Sequence, residues 1–439
     1  MDTIELIMLR AVNQNAQRFQ RFPTPDEWSR FRVYAQRMVV ISLPRDDRIP
    51  SDDILDLINL DRSGHRLIPR LQILHWKTVR PFLPWLHRLL SPTLSSINIE
   101  FTGTHGTALN VAVIKALPSI NLKYLTLSAL GTDTEVSDSL LNLVLNSKQL
   151  WRLYISQESH TEDTSPTGDG IEDKREPIEL ESLKSIIITF KIEPSFLPRL
   201  FDRATFPNIR EICIQHMGMA DWSGADDLFN SVLRSASPDV FYSFRYLSKH
   251  HGIDITPTRI QSLQRFVALG ILRVTSLCTT IRCKFSLSDD DVSAIAIAMP
   301  NLVQLYLGGP PCSSAVNVSI NGLAVFAANC TKLKELQIHF DTASFITNAL
   351  DVSSEPTMTP RSSPGSRQLT KLIVGRVTLG HGIDVPWMVG MALLQIFPGL
   401  RDIRYQQDSG RPSNKWEEVI RVIKVQRNVM SLIMVSRAN

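Results

Sequence analysis

The residues able to do chemistry are few and poorly grouped for it. Five cysteines contain no Cys-x-x-Cys pair. Cys278 and Cys283 lie in a strand-like run without paired histidines, which is poor spacing for zinc. Buried structural thiols are the simpler expectation. His250 and His251 are adjacent, so in a strand they point to opposite faces and cannot chelate together. Asp289, Asp290 and Asp291 invite a cation, but three acids at a helix start more simply complement the helix dipole. There is no Gly-x-x-x-x-Gly-Lys-Ser/Thr loop to cradle a phosphate, and residues 307–312 read as a turn. There is no Gly-x-Ser-x-Gly elbow. The expectation is therefore no catalytic residue, no metal, no cofactor and no enzyme activity.

What remains is recognition chemistry, and a repeat must position it. One pattern recurs: apolar, two variable, apolar, one variable, apolar. It occurs as Leu71-Leu74-Trp76, Leu94-Ile97-Ile99, Leu122-Leu125-Leu127, Leu150-Leu153-Ile155, Leu183-Ile186-Ile188 and Ile209-Ile212-Ile214. It returns as Leu302-Leu305-Leu307, Leu333-Leu336-Ile338, Leu369-Leu372-Val374, Leu400-Ile403-Tyr405 and Val429-Leu432-Met434. Two weaker matches, Phe241-Phe244-Tyr246 and Leu269-Leu272-Val274, fill the gap between 209 and 302. Thirteen starts between residues 71 and 429 then recur at intervals of 23 to 36, averaging about 30.

The segments between hexads begin polar and turn amphipathic. Ser288-Asp-Asp-Asp-Val-Ser-Ala-Ile-Ala-Ile-Ala-Met-Pro300 reads as a helix with Ser288 as N-cap, acids in the first turn and a proline stop. Residues 320–330 and 385–397 read likewise. The unit is helix, short turn, strand. Such a unit cannot bury its apolar face alone, and stacking does so. The fold class expected is α/β: a solenoid with parallel strands on the concave face and helices on the convex face. An ordinary α/β sheet domain is the alternative, but doubly wound sheets do not repeat one hexad thirteen times.

These repeats resemble leucine-rich repeats of the long, helix-containing kind, and the chain resembles fungal F-box/leucine-rich-repeat proteins. The residues that carry the likeness include Pro25-Asp-Glu-Trp-Ser-Arg-Phe-Arg-Val-Tyr-Ala35, Leu67-Ile-Pro-Arg-Leu-Gln-Ile-Leu-His-Trp76 and Phe206-Pro-Asn-Ile-Arg-Glu-Ile212. Leu287-Ser-Asp-Asp-Asp-Val-Ser293, Cys330-Thr-Lys-Leu-Lys-Glu-Leu-Gln-Ile-His-Phe340 and Ile396-Phe-Pro-Gly-Leu-Arg-Asp-Ile403 carry it further. The resemblance implies a non-catalytic substrate receptor of an SCF-type cullin–RING ubiquitin ligase, docked on a Skp adaptor through the F-box. The F-box itself is not visible. Ile49-Pro-Ser-Asp-Asp-Ile-Leu-Asp-Leu-Ile58 imitates its opening but runs directly into the first repeat at Leu67. That leaves two readings: a receptor whose F-box was lost or shortened, and a free-standing interaction scaffold without ligase coupling.

Composition narrows the partners. Net charge is +4, from 47 Lys and Arg against 43 Asp and Glu, too balanced to favour nucleic acid or an anionic membrane. No apolar run approaches the roughly 18 residues that span a bilayer, and the first residues lack the basic and apolar regions of a signal peptide. A cytoplasmic or nuclear protein is expected. Residues 1–66 read as a helical N-terminal cap and 67–439 as the solenoid. Loops near 157–181, rich in acids, and 351–367, rich in Ser, Thr and Pro, read as disordered. Helical spacing of Trp416, Val419, Ile420 and Ile423 suggests a closing helix packed on a last strand at 429–434.

Strand side chains alternate faces, so positions three, five and seven of each hexad should line the concave surface. The candidate protein-binding residues there are His75, Lys77, Asn98, Glu100, Tyr124, Arg152, Tyr154, Glu211, Gln215, Gln304, Tyr306, Glu335, Gln337, His339, Lys371, Asp402 and Arg404, and Cys213 falls on the same face. Lys77, Arg152, Lys371 and Arg404 face Glu100, Glu211, Glu335 and Asp402, four bases against four acids. A nucleic-acid groove would be one-sided. The mix of Tyr, Arg and Gln suits a protein partner.

Overall fold

The structure, a computed structural model, describes residues 24–42, 68–78, 90–101, 107–117, 121–131, 133–157, 177–190, 196–216, 225–237, 239–248, 276–280, 287–307, 318–342, 368–374, 379, 384–405 and 414–438. The chain divides into two compact units, Met1–Ile209 and Arg210–Asn439.

In the first unit, helix α1 (Pro25–Ala35) leads into strand β1 (Val40–Ser42). Strands β2 (Ile73–Thr78), β3 (Ser96–Phe101), β4 (Tyr124–Leu130), β5 (Arg152–Gln157) and β7 (Ser185–Phe190) follow. They lie side by side in chain order, β1-β2-β3-β4-β5-β7, and every neighbouring pair is parallel. Strands β6 (Ile178–Glu179) and β8 (Ala204–Thr205) form a separate short parallel pair. Helices α2 (Thr107–Ala116), α3 (Thr134–Asn146) and α4 (Phe196–Arg203) connect strands. Helix α2 packs on α3, and α3 on α4.

The second unit has the same construction. Strands β9 (Glu211–His216), β10 (Ser243–Ser248), β11 (Ser276–Thr280), β12 (Gln304–Leu307), β13 (Glu335–Ile338), β14 (Lys371–Val374) and β15 (Asp402–Tyr405) are parallel and ordered as in the chain. Its helices are α5 (Ala225–Ser235), α6 (Asp289–Ala298), α7 (Ile320–Asn329), α8 (Val385–Ile396) and α9 (Asn414–Ala438). Helix α6 packs on α7, and α8 on α9. Crossovers between parallel strands are right-handed in nearly all proteins. Where neighbouring strands also follow chain order, that handedness sends every connecting helix to the same face of its sheet.

The hexad explains the core. Its middle residue aligns from strand to strand: Leu74, Ile97, Leu125, Leu153 and Ile186 in the first unit. Ile212, Phe244, Leu277, Leu305, Leu336, Leu372 and Ile403 align in the second. All but Leu277, whose side chain is outside the description, are buried. Each such side chain removed from water stabilises by about 1.5–3 kcal/mol.

A four-residue turn joins the end of one unit to the next strand. The N–H of the hexad's first residue donates to the carbonyl three positions back: Leu71 to Ile68, Leu94 to Ser91, Ile209 to Phe206, Leu302 to Met299 and Leu400 to Phe397, at 3.0–3.3 Å. The second place in all five is proline: Pro69, Pro92, Pro207, Pro300 and Pro398. Proline presets φ for this place, and it turns the preceding residue away from helix. The first place is buried, whether Ile68, Phe206, Met299 or Phe397. Two polar residues at this place bond the preceding turn. Ser91 Oγ donates to the Pro69 carbonyl, and Cys330 Sγ to the Met299 carbonyl at 3.5 Å.

Caps tie helix to helix. Ser288 and Asp291 form a capping box on α6: Asp291 N donates to Ser288 Oγ at 3.2 Å, and Ser288 N to Asp291 Oδ2 at 2.8 Å. Asp289 turns instead to the next helix. It accepts Ser319 N at 2.7 Å and Ser319 Oγ at 2.6 Å, holding the N-cap of α7. Gly322, in the first turn of α7, leaves room for that carboxylate; a Cβ there would stand 2.3 Å from Asp289 Oδ1.

Several expectations need correction. Val429, Leu432 and Met434 are not a strand: α9 runs unbroken through them. No Gly or Pro interrupts residues 414–438, so nothing ends the helix. Leu432 is 69% exposed, far from a core position. The weak hexad at 269–274 lies outside the described residues. The strand is Ser276–Thr280, and Leu277 takes the middle place opposite Leu305. The third apolar place there is Thr279, which hid the true register. Gln157 closes β5 and Ile178 and Glu179 form β6, so the stretch near 157–181 begins and ends at strands. Its remainder, the loop at 351–367 and the segment 49–58 lie outside the described residues. The strand at 40–42 was not anticipated; it extends the first unit's sheet ahead of the first hexad.

The Asp289–Gly322 fit generates a sign test. Alanine favours a helix interior over glycine by about 1 kcal/mol, yet Gly322→Ala should destabilise by displacing the Asp289 carboxylate. In an Asp289→Ala background the same change should be neutral or stabilising. Urea midpoints of the four chains measure this, and equal effects in both backgrounds would contradict it.

Candidate protein-binding face

In-register parallel strands convert a hexad position into a row of side chains about 4.8 Å apart. In the first unit one row runs Ile73, Ser96, Tyr124, Arg152, Ser185, and the next His75, Asn98, Thr126, Tyr154, Ile187. Lys77 pairs in register with Glu100 beyond them. In the second unit the corresponding rows include Glu211, Gln304, Glu335, Lys371, Asp402 and then Arg245, Tyr306, Gln337, Ile373, Arg404. Within each unit, therefore, the candidate strand residues stand in rows. His75, Tyr124, Arg152 and Arg404 are exposed. Asn98, Glu100, Tyr154, Glu211, Gln215, Gln304, Tyr306, Glu335, His339, Lys371 and Asp402 are half-buried. His339 lies just past the end of β13.

Two positions do not match the expectation of an open face. Gln337 is only 8% exposed, flanked in register by Tyr306 and Ile373. Cys213 is buried as well. Burial pushes its thiol up, and Gln215 donates to its sulfur at 3.9 Å. Cys330 is pushed up to about 12 by burial. A thiol so protonated is no nucleophile at neutral pH.

The second unit's face is electrically knitted together. Tyr306 Oη donates to Glu335 Oε2, and Lys371 Nζ donates to the same oxygen at 2.9 Å. These two bonds, with the charges of Lys371 and Arg404, hold the Glu335 carboxyl below its ordinary value of 4.5, against a smaller opposing effect of burial. Arg404 Nε bonds Asp402 Oδ2 at 2.9 Å. Arg245 approaches Glu211 at 4.0 Å. Arg245 escaped the sequence reading of the charge pattern because its hexad, at 241–246, was a weak match.

A further row was missed altogether. Alternation counted outward from position three omits position two, where the turn has just ended and two successive residues lie outside the core. Position two holds Gln72, Ser95, Lys123, Trp151 and Lys184 in the first unit. In the second it holds Arg210, Tyr242, Val303, Lys334, Thr370 and Arg401. Trp151 and Tyr124 are 40% and 39% exposed. Their rings meet edge to face at 5.4 Å, and Lys184 Nζ lies 5.1 Å over the Trp151 ring. The signal was present as five Lys or Arg and no acid at hexad position two.

Among the described residues no group of three His, Cys, Asp or Glu is placed to hold a metal ion, and no helix is long and apolar enough to cross a membrane. No protein-family model matches the chain, and no curated protein matches it in sequence. Among solved structures it is similar to a chain of the yeast Rad7 and Elc1 complex, with a TM-score of 0.36 and 13% identity over 83% of this chain and 86% of that one.

The depressed Glu335 carboxyl fixes a pH dependence. Its folded value lies below the unfolded one, so its contribution is complete above pH 4.5 and is lost as pH falls through the lowered value. Glu335→Gln should cost about 1 kcal/mol at neutral pH, and the gap to the parent should close on acidification. Denaturation midpoints against pH measure it; a gap that widens toward low pH would contradict the assignment.

Proposed function

We propose that this chain is a leucine-rich-repeat solenoid that binds a protein on its outward strand face and performs no chemistry itself. The observation that carries the reading is the alignment of Tyr, Arg, Gln, Glu and Lys into rows within the units while the middle hexad residues fill the core. A sheet face needs polarity to stay in water. It does not need tyrosine and arginine, which bind partners through large, ordered surfaces. In the second unit the outward rows mix charge signs, which favours protein over nucleic acid there, and a cytoplasmic or nuclear setting with no membrane attachment suits that role.

The finer reading rests on the resemblance to F-box/leucine-rich-repeat proteins. In it the chain is the substrate receptor of an SCF-type cullin–RING ubiquitin ligase. The outward face would hold the substrate, and a Skp adaptor would bring the ligase, raising the effective concentration of substrate lysines near the conjugating enzyme.

Binding of the full chain to purified Skp adaptor, read as a dissociation constant, tests the coupling. Micromolar or tighter affinity is expected, and it should be lost when residues 49–60 are replaced by a Gly/Ser linker. Absence of binding would contradict the receptor role and leave a free-standing interaction scaffold.

A further inference from the structure

Lys123, Trp151 and Lys184 occupy one hexad position on three successive strands. The backbone makes the row exact in placement: Trp151 N donates to the Lys123 carbonyl at 2.7 Å, and Lys184 N to the Trp151 carbonyl at 2.9 Å. A lysine thus flanks the tryptophan on each side. Beside them in the neighbouring row, Tyr124 and Arg152 are register partners, and Tyr154 lies two residues further along β5. The aromatic rings are held rather than loose, since Tyr124 packs edge-on to Trp151 and Lys184 covers a face of it. Pre-ordered aromatic surface gives binding energy at low entropic cost.

The charge here is one-sided. Among the described residues, Lys123, Arg152 and Lys184 have no ion-pair partner, and no acid lies in this part of the two rows. The second unit's face differs, because its acids answer its bases at Glu335–Lys371, Asp402–Arg404 and Glu211–Arg245. We infer that the Lys123–Trp151–Lys184 row, with Tyr124, Arg152 and Tyr154, is a docking site for an acidic peptide segment carrying one aromatic or large apolar anchor. The anchor packs on the Trp151–Tyr124 pair, and carboxylates on either side meet the lysines and Arg152. Competition with an oligothymidylate separates this occupant from a single-stranded nucleic acid, whose bases stack on aromatic faces.

This inference rests on the reading of the outward strand face as a protein-binding surface and names the kind of partner it takes in the first unit. The test uses the full chain and a fluorescein-labelled peptide of alternating Asp and Glu with one central Phe, followed by anisotropy. Saturable binding is expected, weakening as salt rises through the range where the Debye length falls from about 10 to about 3 Å. Trp151→Ala should weaken it about tenfold or more. Lys123→Gln with Lys184→Gln should weaken it and flatten the salt dependence. Lys334→Gln with Arg401→Gln, on the other unit, should leave it unchanged. All four chains should share one thermal transition; if Trp151→Ala shifts it, Arg152→Glu replaces that variant with the same expected loss.

Undiminished binding in the Trp151 and double-lysine variants would overturn the site. So would displacement of the peptide by an oligothymidylate of equal charge at lower concentration. Loss of the peptide site with adaptor binding intact sinks only this inference, and absent adaptor binding with an intact peptide site sinks only the ligase coupling.

Discussion

Among the described residues, nine strands start in the same way. The carbonyl of the residue just before one strand accepts two N–H groups, from the first residue of the next strand and the residue ahead of it. Ser95 receives Lys123 and Tyr124; Lys123 receives Trp151 and Arg152; Val303 receives Lys334 and Glu335; Lys334 receives Thr370 and Lys371. Buried backbone groups left unpaired are costly, so this paired donation fixes where each strand begins relative to its neighbour. A slip of one residue would turn every leucine of the hexad out of the core. The register, the apolar column and the outward rows all follow from it.

The turn ahead of each strand serves the same end. Its buried first residue and its closing N–H, with a proline in five of these turns, set the direction in which the chain leaves the turn. Because the turn delivers hexad position one inward and releases positions two and three outward together, the face is wider than simple alternation gives. That extra row carries bases and aromatics. One geometric constraint therefore builds both the stability of the sheet and the surface proposed to meet a partner.

The legible part of this fold was its periodicity. Leucines at fixed hexad places announce themselves wherever the third place stays apolar, as at Leu305 and Leu307, and the helix starts announce themselves through caps such as Ser288. The reading failed where a residue was compatible with two structures. Thr279 fills the third place of its hexad as a β-branched polar residue, so an apolar match nearby displaced the strand. Val429, Leu432 and Met434 fit a hexad by spacing, but helix propagates through any run that lacks a breaker. Of the candidate face, rows three and five could be read from alternation. Row two could not, since it depends on how the turn hands the chain to the strand. The burial of Gln337 depends on its neighbours Tyr306 and Ile373, which come from strands about 30 residues away on either side.

The account stands on a division of labour between faces: helices and inward residues hold the fold, and outward strand residues hold the partner. Photo-crosslinking from single positions tests this most directly. A photoreactive phenylalanine analogue placed at Tyr124, Tyr154 or Gln304 reports the outward strand face, and one at Ile297 or Trp387, both exposed on helices, reports the helical layer. The account predicts that the strand positions yield one and the same protein adduct in cells while the helix positions yield none of it. The same adduct formed as readily from Ile297 and Trp387, with none from the strands, would contradict it.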